Sequence, residues 1–172
     1  MADSMASFSS MLATPTQRAY AVFGLCAGSL ALAVVLQHVL GWQPCPLCIL
    51  QRLGLLGIAI FALAAGLTGE KPKISCAMRS FATLAAAGGG FAAYQQLLLL
   101  WGPGEATCGS MLRMYMTRLA DTVPALDWLL DGPADCAAEA NLVLGLPLAF
   151  WVLLLTTVCA VMLWLPRRKK SV

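Results

Sequence analysis

The sequence predicts an all-α membrane protein, a bundle of four transmembrane helices with a short first outer loop and a long second one, and three observations carry that prediction. Hydrophobic residues make up 60% of the chain and charged residues 11%, against roughly 45 to 50% and about 25% in soluble domains. Four apolar runs, 19–40, 49–67, 76–100 and 146–165, approach or exceed the roughly 20 residues that cross a bilayer. Threading the chain through a membrane along those runs puts eight of its eleven basic residues on one side: Arg18, Lys71, Lys73, Arg79, Arg167, Arg168, Lys169 and Lys170. Basic residues beside spans stay cytoplasmic. Residues 1–18, the turn 68–75 and the tail 166–172 are therefore expected in the cytoplasm, with 41–48 and 101–145 on the outer face of a single membrane domain, 1–172.

The first run admits a signal peptide, being N-terminal behind Arg18. It is too long for an ordinary h-region, and no small-residue cleavage site precedes "GWQPC", so it is expected to stay as a membrane helix. Ahead of it, about 15 residues rich in Ser, Ala and Met are expected to be disordered. Gly24 with Gly28, and the run Gly88, Gly89 and Gly90, read as close helix packing inside a monomeric bundle. In the outer segment six acidic residues face only Arg113 and Arg118, which disfavours nucleic acid or an anionic surface as its partner. Met111, Met114, Met116, Leu126, Trp128 and Leu129 there, mixed with charges, predict a short amphipathic segment on the membrane; a partner-binding groove is the rival reading of the methionines.

The seven cysteines fall into two populations. Cys26 and Cys159 lie within spans and Cys76 at a cytoplasmic span end, where cysteine packs as a small apolar residue. Cys45, Cys48, Cys108 and Cys136 all fall on the outer face, where an oxidising compartment permits disulfides. Two structural bridges, Cys45 with Cys48 and Cys108 with Cys136, are one reading. It suits a long loop such as that between Cys108 and Cys136. It suits Cys45 and Cys48 poorly, because closing so short a loop constrains little chain and C-x-x-C pairs are more often redox-active or metal-binding. A four-cysteine zinc site usually shows two short-spaced pairs, and Cys108 and Cys136 are far apart, so no metal is expected. Haem attachment needs His after the second cysteine, and Ile49 stands there.

Pro44 and Pro46 flank Cys45. Proline favours the first helical position and keeps its predecessor out of helical geometry, so Cys45 is expected at the cap of the second helix and Cys48 near its third position. Free backbone donors and the positive helix end there would favour a Cys48 thiolate. Arg52, one turn further on and on the same face, is either an arginine snorkelling to the interface or a fixed cation that holds a thiolate or polarises an oxygen. A thiolate, a cation and an apolar wall together suit a lipid-soluble electron acceptor.

"QHVLGWQPCPLCILQR" before an apolar span, then an outer loop with "ATC" and "DCA", resembles the DsbB family of bacterial disulfide-forming membrane proteins over nearly the whole chain. The resemblance implies an inner-membrane enzyme with periplasmic loops that oxidises the dithiol of a DsbA-like thioredoxin-fold protein and reduces a membrane quinone, ubiquinone or menaquinone. By resemblance Cys108 is attacked by the donor, Cys136 is its disulfide partner and passes electrons to Cys45, and Cys48, paired with Cys45, engages the quinone. Arg52 matches the family's quinone-site arginine. Gln37 and His38 match a QH pair there, while Gln95 and Gln96 lie at a similar depth on the third run. A different class of protein, a non-catalytic scaffold with structural bridges in its outer loops, is the alternative; it would resist mild reductants and ignore quinone.

Overall fold

The computed structural model describes residues 14–41, 44–69, 71–101, 118 and 142–165. Cys108, Cys136, the amphipathic segment, the N-terminal 13 residues and the basic tail lie outside the described residues.

Four helices run α1 Pro15–Leu40, α2 Pro46–Leu67, α3 Pro72–Trp101 and α4 Leu148–Trp164. The first three begin three or four residues before the apolar runs do, because their starts are set by proline at the first turn rather than by hydrophobicity. At α1 this is reinforced by a capping box: the Thr14 hydroxyl accepts from the Gln17 backbone N–H, and the Gln17 side chain accepts from the Thr14 N–H, both at 3.2 Å. Gly41 ends α1 in the left-handed conformation (φ 66°).

The fourth helix starts later than the apolar run. A minimal hairpin precedes it, β1 Leu142–Val143 paired antiparallel with β2 Leu146–Pro147, and the apolar run read as one span does not reveal it. Its two-residue turn needs positive φ at both positions, which Leu144 (56°) and Gly145 (82°) adopt. The Trp151 indole N–H donates to the Val143 carbonyl at 3.1 Å and ties the hairpin to α4.

The helix faces are inverted relative to a water-soluble bundle. Large apolar side chains point outward, with Val39 74%, Leu84 67% and Phe91 62% exposed, while alanine, glycine and cysteine fill the centre: Cys26, Ala62, Ala82, Ala86 and Cys159 share one core with Val22, Leu55 and Ile58. Small residues let helices approach where no hydrophobic force drives them together. Helices α1 and α2 are long and apolar enough to cross a membrane; α4 is apolar but 17 residues long.

The tightest crossing is α2 on α3. A Cβ on Gly54 would lie 2.7 Å from the Gly89 Cα, and Gly90 backs onto the Thr156 hydroxyl of α4. The expectation for the other glycines fails: Gly24, Gly28 and Gly88 have nothing within 4 Å of an added Cβ. The inward stripe of α1 is Ala19, Val22 and Cys26, and helical periodicity turns Gly24 and Gly28 away from it. At one end of the bundle Arg18 donates to the Leu165 carbonyl, the Ser75 hydroxyl to the Ala65 carbonyl at 3.1 Å and the Trp164 indole to the Thr83 hydroxyl at 2.8 Å. The cysteine pair at the start of α2 lies at the other end.

Candidate functional site

Pro46 occupies the first position of α2 and Cys45 is its N-cap, with extended backbone (φ −87°, ψ 165°). The Cys45 sulfur takes the place of a capping oxygen and accepts from the Cys48 backbone N–H at 3.3 Å. Capping thereby folds the four-residue segment so that the two sulfurs lie 2.9 Å apart, the Cys45 thiol donating to the Cys48 sulfur. Cys45 is fully buried and Cys48 is half-buried. The Cys45 thiol is held far above the ordinary range, first by its hydrogen bond to Cys48 and then by burial. Negative charge on this pair therefore belongs on the more open sulfur, that of Cys48.

One amide stands beside the sulfurs, and a second is bonded to it. The Gln96 Nε2 of α3 is 3.5 Å from the Cys48 sulfur and 3.7 Å from the Cys45 sulfur. The Gln51 Nε2 of α2 donates to the Gln96 Oε1 at 2.7 Å. Both side chains are only 4% exposed.

Beyond the sulfurs a cavity of about 320 Å³ opens between α1, α2, the hairpin and α4. Its walls are mainly apolar, Leu32, Leu36, Leu55, Trp151 and Leu155 among them, and Cys48, Gln51 and Arg52 supply the chemistry. That is the size and character of a small-molecule site: mostly apolar, with a few convergent polar groups. Arg52 does more than snorkel. One guanidinium nitrogen donates to the Gln37 Oε1 of α1 at 2.6 Å, so the charge is held at the cavity wall by a neutral amide that adds no charge of its own.

The structure thus joins Cys45, Cys48, Arg52, Gln37 and Gln96, all of them singled out in the sequence. It does not join His38, which is exposed on α1 with its Nδ1 2.9 Å from the Val34 carbonyl of its own helix, and Gln95 is half-buried beside Gln96 without lining the cavity. Gln51 and Trp151 had not been singled out. A lone polar residue between Leu50 and Arg52 was the available signal for Gln51; Trp151 carried none, being one aromatic in an apolar run. Elsewhere, Cys26 and Cys159 meet across α1 and α4 with sulfurs 3.8 Å apart, both fully buried in the apolar core.

Comparison with known proteins bears on this arrangement directly. The family model described as disulfide bond formation protein DsbB matches residues 15–165. Among similar curated proteins, all named disulfide bond formation protein B, that of Aromatoleum aromaticum is 38% identical over 146 residues, covering 81% of this chain and 84% of the relative. That of an Azoarcus species is 38% identical over 163 residues (90% and 96%), and that of Chromobacterium violaceum 34% over 152 residues (87% and 91%). No solved structure matches the chain. With the match running from the first residue of α1 to the residue that caps α4, and taking in the cysteine pair and cavity, the chain belongs to the DsbB family of disulfide bond formation proteins, four-helix membrane bundles.

Proposed function

We propose that this disulfide-forming membrane oxidoreductase oxidises the dithiol of a periplasmic DsbA-like thioredoxin-fold protein and passes the two electrons to a membrane quinone, ubiquinone or menaquinone. Its relatives' shared name supports disulfide formation. The observation that carries the rest is that the Cys48 sulfur and the Arg52 guanidinium line one apolar cavity, with the Cys45 sulfur 2.9 Å behind Cys48. The bundle stands with the Arg18 and Arg79 end in the cytoplasm, and the Cys45 end at the periplasmic boundary, following the basic residues.

A quinone fits the cavity's residues: apolar walls for a ring and tail, and a fixed cation for an oxygen. Bound there, it supplies a two-electron, two-proton acceptor. Arg52, braced by Gln37, orients that oxygen; Leu36, Leu55 and Trp151 exclude water. In the chain's own half of the work, a donor thiolate attacks Cys108, the Cys108–Cys136 bond breaks and Cys136 leaves as thiolate. Cys136 then attacks the Cys45 sulfur of a Cys45–Cys48 disulfide, and the electron pair of the broken bond goes to Cys48. Each exchange breaks one S–S bond and forms one, so electrons are conserved. The donor's second thiolate then expels Cys108 and leaves as a disulfide, Cys108 attacks Cys136 and reforms the Cys108–Cys136 bond with release of Cys45, and Cys45 and Cys48 hold the two electrons as a dithiol.

The test is quinone absorbance over time with purified protein, a reduced thioredoxin-fold donor and a soluble quinone, with Cys108→Ala beside it. Donor-dependent loss of oxidised quinone that vanishes in Cys108→Ala is the expected result. Intact bridges with no turnover for any donor would overturn the proposal in favour of a scaffold.

A further inference from the structure

An ionisable side chain next to a redox sulfur can trade protons with it. Here the amides that flank the pair are neutral. Among the described residues, the charged and titratable groups facing Cys48 are Cys45 and, on its own helix, Arg52, while α1 offers Gln37, α3 offers Gln96 and α4 only apolar groups. Glutamine does not titrate. Its amide offers two N–H donors and one carbonyl acceptor, and which end faces a partner is decided by the surrounding hydrogen bonds.

The Gln96 carbonyl oxygen accepts from the Gln51 N–H at 2.7 Å, which fixes the flip; the same oxygen lies 3.6 Å from the Cys48 sulfur, where it can accept from the thiol, and the NH₂ group is left to donate when that sulfur is a thiolate. That nitrogen lies nearly equidistant from both sulfurs, 3.5 and 3.7 Å. Two donors meet two acceptors. The crossing of Gly54 on Gly89 brings α2 and α3 together at this level and gives the amides their reach.

We infer that Gln51 and Gln96 form a neutral amide clamp on the cysteine pair: Gln96 donates to whichever sulfur carries negative charge, and Gln51 is the positioning residue that keeps its NH₂ group aimed there. When an attacking thiolate breaks the Cys45–Cys48 bond at Cys45, the departing Cys48 sulfur receives the electron pair already facing a donor. Because an amide N–H is too weak an acid to give up its proton, Gln96 stabilises the thiolate by hydrogen bonding without quenching it. Hydrogen bonds to charged groups are the strong ones, and a buried site makes their loss count for more.

This inference rests on reading Cys45 and Cys48 as the redox pair, but its test does not need turnover. In the reduced full-length protein, alkylation of Cys48 by iodoacetamide is followed across pH, with the labelled cysteine resolved by peptide mass spectrometry. Relative to the unsubstituted chain, Gln96→Met should raise the pH midpoint of labelling by about one unit, equivalent to about 1.4 kcal/mol. Gln51→Met should raise it less, since Gln96 remains but is free to turn over. An unchanged midpoint in Gln96→Met overturns the clamp; a shift there with none in Gln51→Met overturns the positioning role of Gln51. Should Gln96→Met not fold, the Gln51→Met titration decides the question alone, a rise supporting the clamp and no change overturning it. A failed quinone assay with these shifts intact would refute the proposed function and leave the clamp standing.

Discussion

Among the described residues two cysteine pairs bring their sulfurs together, Cys45 and Cys48 at 2.9 Å and Cys26 and Cys159 at 3.8 Å. Their surroundings differ in every other respect. Cys45 and Cys48 occupy a helix N-terminus, with a backbone N–H, two amides and a guanidinium near the sulfurs and a cavity alongside. Cys26 and Cys159 face each other mid-helix in the apolar core, among Val22, Ile58 and Leu163. Nearness of two thiols therefore does not make a reactive site; stabilisation of a thiolate and access for a second reactant do.

The largest expected break in that contrast comes from Cys48→Ser, which should abolish quinone reduction, whereas Cys26→Ala should leave it within experimental error of the parent. Steady-state turnover in detergent or nanodiscs reads both, and equal losses would erase the distinction between the pairs. Next is Arg52→Ala. Removing the fixed cation should weaken apparent quinone affinity about tenfold, equivalent to about 1.4 kcal/mol, visible as a higher KM; an unchanged KM would return Arg52 to an interfacial anchor.

A smaller effect is expected from Trp151→Ala, which cuts the tie to the Val143 carbonyl and opens the cavity wall. Apparent quinone affinity should fall about threefold, or roughly 0.6 kcal/mol, with little change in the labelling midpoint of Cys48. The smallest concerns the inner pair alone: Cys159→Ala should lower thermal stability by about 1 kcal/mol as a core truncation, and reagents that label Cys48 in the folded reduced protein should not label Cys26 or Cys159. Rapid labelling of both pairs would show that burial does not separate them.

Much of the site was legible beforehand because its signals are local. The prolines around Cys45 set the cap, and the cap sets the spacing of the sulfurs; Arg52 follows one turn later by helical periodicity alone. Gln51 was hidden inside the same motif, since a polar residue at a span end has several uses until its partner is known. His38 illustrates the converse. With Gln37 it matches a QH pair of the family, yet consecutive positions on a helix point about 100° apart; Gln37 accepts from Arg52, while His38 Nδ1 lies against the Val34 carbonyl of its own helix.

The four apolar segments and the capped cysteine pair were readable from the residues alone, because hydrophobic run length and helix initiation act on short stretches of chain. Which polar groups meet was not. Gln51 reaches Gln96, 45 positions away, because Gly54 and Gly89 let two backbones touch. Gly24 and Gly28, the same residue type in a recognised packing motif, face open space, with nothing within 4 Å of an added Cβ. The difference is the rotation of each helix about its axis, which is set by the summed fit of all its neighbours and is written in no single segment.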